Sequence, residues 1–234
     1  MKIALAQINP TIGAFKKNVE KIRLFIEQAK DKNADMVVFP EMSVAGYPPR
    51  ELLERPGFVM DNLKALDDVI EFSQDIAVIV GFVDVNPDKN GKPLFNAAAF
   101  IYNGKVVSKH YKSLLPSYDV FDEHRYFEPA HTVSTVKYQG IRFGITICED
   151  IWALDDVWER PLYRANPVEE LVNHGAEFIV NMSASPFDMD KIDKRSFLIT
   201  SLSKKYKVPF VYVNQVGGND DLIFDGNSVV ADST

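Results

Sequence analysis

Apolar residues in this chain follow two rhythms: short unbroken runs, and stretches in which they recur every three or four positions. Ile3 to Ile8 is a short apolar run and reads as a buried strand. From Asn18 to Lys30, Val19, Ile22, Phe25, Ile26 and Ala29 fall at helical spacing. Met36 to Phe39 is a second buried strand, stopped by Pro40, and Ala77 to Phe82 is a third. Between them Leu63, Leu66, Val69, Ile70 and Phe72 mark a helix. In the middle, Asn90-Gly91, Asn103-Gly104 and Gln139-Gly140 separate β-rich runs, and such dipeptides favour the tight turns of hairpins. Asn96 to Tyr102 should therefore pair antiparallel with Lys105 to Tyr111, and Thr132 to Tyr138 with Ile141 to Ile147. Alternation then resumes. A helix is expected near Val168 to Asn173, ended by Gly175, then a strand at Phe178 to Asn181 and a helix near Ser196 to Lys207. Strands at Phe210 to Asn214 and Ser228 to Ala231 complete the pattern.

Strand–helix alternation combined with antiparallel hairpins predicts a mixed α/β sandwich with helices outside. No internal repeat, low-complexity tract or linker divides the 234 residues, so one domain is expected. With 46% hydrophobic and 25% charged residues the composition is that of a water-soluble globular protein. The net charge of −7 argues against nucleic acid or an anionic membrane as partner, since both call for a positive field. The densest basic run, Lys204-Lys205-Tyr206-Lys207, reads as a solvated helix end. The single cysteine leaves no internal disulfide and no multi-cysteine zinc site. No apolar stretch approaches the roughly 18 residues of a membrane span. The N-terminal apolar run is too short for a signal peptide, being ended by Asn9-Pro10. A reducing, cytoplasmic location is the expectation.

Candidate chemistry sits at the ends of the predicted strands. Cys148 ends one such run in Gly144-Ile145-Thr146-Ile147-Cys148-Glu149-Asp150-Ile151-Trp152; Glu41 follows Phe39-Pro40, and Lys112 follows Tyr111. Each has an ordinary reading by itself: a small buried thiol, an exposed loop carboxylate, a hairpin end. Together they sit where α/β sheets place their sites, outside the carboxyl ends of strands. A thiol with an ordinary pKa of about 8.5 needs a base or a cation to attack at neutral pH. Glu41 can take its proton and return it to a leaving amine, while Lys112 can stabilise an oxyanion. The reaction class is acyl transfer from a carbon–nitrogen bond through a thioester.

Other constellations are weak. His110, His124, His131 and His174 lack metal-ligand spacing, and no metal is expected. There is no G-x-S-x-G elbow and no Walker-type or G-x-G-x-x-G phosphate loop. Gly217-Gly218-Asn219-Asp220-Asp221 runs into acidic residues that would repel a phosphate. Asp188, Asp190 and Asp193 read as a solvated helix start rather than a calcium loop.

The set Glu41, Lys112, Cys148, in that chain order, resembles the Glu-Lys-Cys triad of the nitrilase superfamily of carbon–nitrogen hydrolases. The run from Tyr111 to Phe127 (YKSLLPSYDVFDEHRYF) is similar to the lysine loop of the N-terminal glutaminase domain of glutamine-dependent NAD synthetases. So are Ala45-Gly46-Tyr47-Pro48-Pro49, Cys148-Glu149-Asp150-Ile151-Trp152, Asn181 to Phe187 and Gly217 to Asp220. The resemblance implies a nitrilase-like α-β-β-α sandwich with mixed sheets. It implies a glutamine amidohydrolase whose ammonia serves the ATP-dependent amidation of nicotinic acid adenine dinucleotide. Under it Glu41 is the base, Lys112 the oxyanion stabiliser, Cys148 the nucleophile and Glu123 a supporting glutamate. Tyr47, Tyr118 and Phe121 line the pocket, and Glu149, Ser185 and Lys191 meet the polar end of glutamine. Lys191 stands where some relatives carry arginine, and Asp190 where many carry glycine. The synthetase domain, with its ATP and Mg²⁺, lies outside residues 1–234, so this chain needs no cofactor and is expected to be a C-terminally truncated piece. Its partners would be glutamine, that synthetase domain and further copies of itself. Two alternatives are a free-standing amidase acting on another small amide, and an inert assembly domain; the three intact triad positions weigh against the second.

Overall fold

The computed structural model describes residues 1–154 and 163–233. The chain opens with β1 (Ile3–Leu5), α1 (Phe15–Asp31), β2 (Met36–Val38), α2 (Pro56–Glu71) and β3 (Ala77–Val85). The antiparallel strands β4 (Leu94–Tyr102) and β5 (Lys105–Tyr111), the short α3 (Glu123–Tyr126) and the hairpin β6 (Thr135–Tyr138) and β7 (Ile141–Ile147) follow. The remainder is α4 (Pro167–Asn173), β8 (Phe178–Ser183), α5 (Lys191–Tyr206), β9 (Phe210–Asn214), β10 (Val216–Asn219), β11 (Leu222–Asp225) and β12 (Val229–Ala231).

Two mixed five-stranded sheets result, in the orders β1-β2-β3-β4-β5 and β12-β9-β8-β7-β6. In the first, β1, β2 and β3 are parallel and β4 and β5 antiparallel to their neighbours. In the second, β7, β8 and β9 are parallel, with antiparallel strands at both edges. The side chains show why the strands read as unbroken apolar runs. In β3, Val78, Val80 and Phe82 face one apolar core with Ile22, Ile26 and Val69 of α1 and α2. Ala77 and Ile79 face another, shared with Ile145, Ile147, Val180 and Val211 of the second sheet. Ile179, Phe210 and Tyr212 point the opposite way, onto Leu171 of α4 and Leu198, Ile199 and Leu202 of α5. The central strands are covered on both faces, so alternation with polar residues is lost there, whereas the edge strands β5 and β6 keep it. The layers are α-β-β-α.

The predicted strands and helices are all present, and the differences lie at their ends. Helix α2 starts at Pro56 and α5 at Lys191, each several residues before the positions expected from the sequence. The first turn of α2 already carries half-buried Phe58 and buried Val59, while α5 opens on half-buried Lys191 and Ile192 followed by solvated Asp193 and Lys194. Pro56 suits a first helical position because its missing N–H has no partner to lose there. Both Asn103-Gly104 and Gln139-Gly140 form the expected two-residue turns, with positive φ at all four residues. The Gly217-to-Asp221 stretch, which carried no predicted strand, instead builds the β10–β11 hairpin, with Asn219 opposite Leu222.

Candidate active site

Glu41, Lys112 and Cys148 come together at one end of the sandwich, because β2, β5 and β7 all run out in that direction. Cys148 follows β7 directly and opens a single 3-10 turn, Cys148–Ile151. Its φ of +44° is left-handed, a strained conformation for a residue with a side chain. Glu41 sits on a tight turn after β2, tied down where Val44 N–H donates to the Gly81 carbonyl. That turn lies so close over β3 that a Cβ on Gly81 would come within 2.7 Å of the Pro40 oxygen and 2.8 Å of the Glu41 carbonyl carbon. Only glycine leaves the room.

The charged groups form a closed network. Lys112 Nζ donates to Glu41 Oε1 at 2.8 Å and to Glu123 Oε1 and Oε2 at 2.7 and 2.9 Å. Asn96 Nδ2 bridges the same two carboxylates, at 2.7 Å to Glu41 Oε1 and 3.2 Å to Glu123 Oε2. The Ala184 backbone N–H donates to Glu41 Oε2 at 2.9 Å, and the Tyr47 hydroxyl to Glu123 Oε1 at 2.8 Å. Glu41 and Lys112 are wholly buried. Burial alone would drive the proton off Lys112, but the charges of Glu123 and Glu41 outweigh it and hold the ammonium well above its ordinary range. Burial lifts Glu123 upward against the pull of Lys112. The Cys148 thiol is likewise pushed up, by burial and then by Glu41, with Lys112 opposing.

A cavity of about 470 Å³ opens onto Cys148, and Tyr118, Phe121, Glu149, Ser185 and Lys191 line it. Glu149 Oε1 accepts hydrogen bonds from the hydroxyls of Tyr118 and Tyr163, at 2.8 and 2.7 Å. Lys191, at the start of α5, places Nζ 5.5 Å from the centre of the Phe121 ring. Ser185 N–H donates to Asn214 Oδ1 at 2.8 Å, which fixes the loop after β8. The β10–β11 hairpin adds Asp221, Leu222 and Ile223 to the wall, and Arg50 pairs with Asp220 and Asp221 at its tip. Tyr47 is placed differently from the pocket-lining position expected of it. It is buried beside Glu123 and does not line the cavity, because its hydroxyl is spent on that carboxylate.

Several residues of the site escaped the sequence reading. Asn96 is one, although a lone amide inside Leu94-Phe95-Asn96-Ala97-Ala98-Ala99-Phe100 was a visible signal. Asp150 is another: Oδ1 accepts from the N–H groups of Ser113 and Leu114, and Oδ2 from that of Ile147, all at 2.9 Å. One side chain thus joins the lysine loop to the turn that carries the thiol. Asn181 Nδ2 reaches the Cys148 carbonyl at 3.4 Å. Among the described residues no group of three or more His, Cys, Asp or Glu side chains is placed to hold a metal ion. None of their helices is long and apolar enough to cross a membrane.

Known proteins resemble this arrangement over nearly the whole chain. A glutamine-dependent NAD(+) synthetase of Synechocystis sp. is 43% identical over 99% of this chain, and one of Thermotoga maritima is 37% identical over 100%. The chain spans only about two fifths of these relatives, 42% and 38% of their lengths. The solved structure of glutamine-dependent NAD+ synthetase from Acinetobacter baumannii superposes with a TM-score of 0.88 at 38% identity, covering 99% of this chain and 41% of that one. An amidase of the nitrilase superfamily from Nesterenkonia shares the fold, with a TM-score of 0.84 at 19% identity over 100% of this chain and 83% of its own. The carbon-nitrogen hydrolase family pattern matches residues 2–234, and this chain, with its buried Glu-Lys pair beside a strained cysteine, belongs to that family.

Proposed function

We propose that this chain hydrolyses the side-chain amide of glutamine through a thioester on Cys148. The ammonia would serve a synthetase region of a longer polypeptide, which amidates nicotinic acid adenine dinucleotide at the expense of ATP. The observation that carries the reading is the lining of the cavity: a thiol, the carboxylate of Glu149 and the ammonium of Lys191 share one space. An α-amino acid presents the complementary charges at one end, which leaves its amide for the thiol. The names and 43% and 37% identities of the two relatives support the same substrate and product.

The raised thiol pKa makes Cys148 a protonated nucleophile at rest. Glu41 therefore takes the Sγ proton as the sulfur–carbon bond forms, rather than meeting a ready thiolate. At rest the three protons of Lys112 are shared between Glu41 and Glu123. Once Glu41 is protonated it becomes a poorer acceptor, and Lys112 can turn part of its charge to the oxyanion. Glu41 then returns the proton to the departing nitrogen, the carbon–nitrogen bond breaks, and ammonia leaves. Water attacks the thioester with Glu41 again as base; the sulfur–carbon bond breaks, giving glutamate and the free thiol. Glu123 and Tyr47 hold Lys112 in place, Tyr118 and Phe121 flank the substrate, and Ser185 offers a further polar contact. In this reading ATP and Mg²⁺ belong to the synthetase region, and no cofactor is assigned to this chain. A cytoplasmic setting and self-association belong to it as well; the exposed Phe197 of α5 and Val230 of β12 support the latter.

Ammonia release by the purified chain, measured with L-glutamine, asparagine, aliphatic amides and carbamoyl amides, tests the reading. Glutamine should be the preferred substrate. Faster turnover of an aliphatic or carbamoyl amide would replace the reading with that of a free-standing amidase.

A further inference from the structure

Glu149 is tethered in an uncommon way. Two phenolic hydroxyls, from Tyr118 on the lysine loop and Tyr163 just before α4, converge on the same oxygen, Oε1, at 2.8 and 2.7 Å. Two donors on one oxygen stop rotation about the last bond of the side chain and set the plane of the carboxylate. Both of these donors are neutral, and among the described residues no lysine or arginine forms an ion pair with Glu149. Burial, followed by the charge of Glu149, drives both tyrosines far up, so the hydroxyls stay protonated and remain donors. The carboxylate lines the cavity that Cys148 opens into.

From this we infer that Tyr163 is a positioning residue that aims Glu149 at a cationic group of the substrate. It thereby sets the preference for an amide carrying an α-ammonium over the same amide without one. The inference rests on the glutamine reading above and adds to it a residue outside the triad and the cavity wall. Tyr163 lies 15 positions from Cys148 in sequence and does not line the cavity, so it acts through Glu149 and touches no reacting atom. A loosened carboxylate would still be an anion; it would lose direction, and with it selectivity rather than chemistry.

The test compares Tyr163→Phe, which keeps the ring and its packing, with the parent chain on two substrates. One is L-glutamine; the other is glutaramate, which has the same carboxylate and amide but no α-amino group. The parent should prefer glutamine. In Tyr163→Phe the ratio of the two kcat/KM values should shrink on the order of tenfold, as for loss of one hydrogen bond to a charged group. The loss should appear in KM for glutamine and not in kcat. Tyr118→Phe, which removes the other hydroxyl from the same oxygen, should reproduce that pattern. An unchanged selectivity ratio, or an equal loss on both substrates, overturns the inference while leaving the glutamine reading standing. A parent chain that prefers glutaramate overturns both.

Discussion

The buried half of the site and its open half treat charge in opposite ways. On the sheet side, Glu41, Lys112 and Glu123 satisfy one another, with Asn96, Tyr47 and the Ala184 N–H filling the remaining lone pairs. On the cavity side, the partners of the Glu149 and Lys191 side chains among the described residues are two hydroxyls and an aromatic face, none of which carries a charge. Glu149 is itself buried, at 3% exposure against 0% for Lys112, but it borders the cavity and Tyr118 beside it is 42% exposed. The first arrangement holds atoms still for a reaction; the second waits for something to neutralise. In the proposed reading, recognition and chemistry are thus divided between two ways of compensating charge that meet at Cys148.

The largest effect should come from the meeting point. Cys148→Ala should take ammonia release below detection, with a change in unfolding free energy within about 1 kcal/mol, since a single sulfur atom bordering a cavity is lost. A coupled ammonia assay and a thermal melt measure the two. Turnover within tenfold of the parent would remove Cys148 from the chemistry.

Next in size, Lys112→Met should leave two buried carboxylates without their cation and lower the unfolding free energy by about 3–5 kcal/mol. Denaturant titration measures this. A loss under about 1 kcal/mol would mean that water already reaches Glu41 and Glu123, and the contrast between the halves would fall.

The smallest effect sharpens the contrast on a single strand. His110 and Lys112 lie two residues apart at the end of β5 and both are buried. Lys112 keeps its charge because two anions face it. His110 meets Ser108 Oγ at Nε2 and a backbone group of Ser134, and burial drives its pKa down to about 4. Between about pH 6.5 and 4 the unfolded chain therefore takes up a proton that the folded chain refuses. Stability contributed by the neutral ring is full above that window and is lost as the pH falls through it, by up to about 3 kcal/mol. His110→Gln should remove this contribution, which opposes those of the raised Glu123 and Asp150 carboxyls, and so change the slope of unfolding free energy against pH in this interval; an unchanged slope would show that His110 adds nothing to it.

The sequence disclosed those parts of the molecule that depend on local pattern. Cys148, Glu41 and Lys112 were visible because each follows a strand that the sequence predicts, and strand ends in α/β sheets converge on one rim. The layers were visible because strands such as β3 are apolar on both faces. What stayed hidden depends on neighbours distant in the chain. The β10–β11 hairpin has two glycines and an acidic tip, and its seat comes from Arg50 and from the buried Arg195–Asp225 pair rather than from its own propensity. Asp150 looked like one more acid after the cysteine; its three N–H partners come from two separate segments. Tyr47 was assigned to the cavity with the other aromatics, yet nothing local could tell that Glu123, 76 residues away, would claim its hydroxyl.

The solitary thiol has a practical corollary. With one cysteine in its 234 residues, this chain offers a thiol-directed probe a single place, bordering the cavity. A fluorophore, a spin label or a fluorine tag could be introduced without first engineering away competing sites. Protection of that label by a candidate amide would then measure occupancy directly, in a binding experiment that needs no turnover.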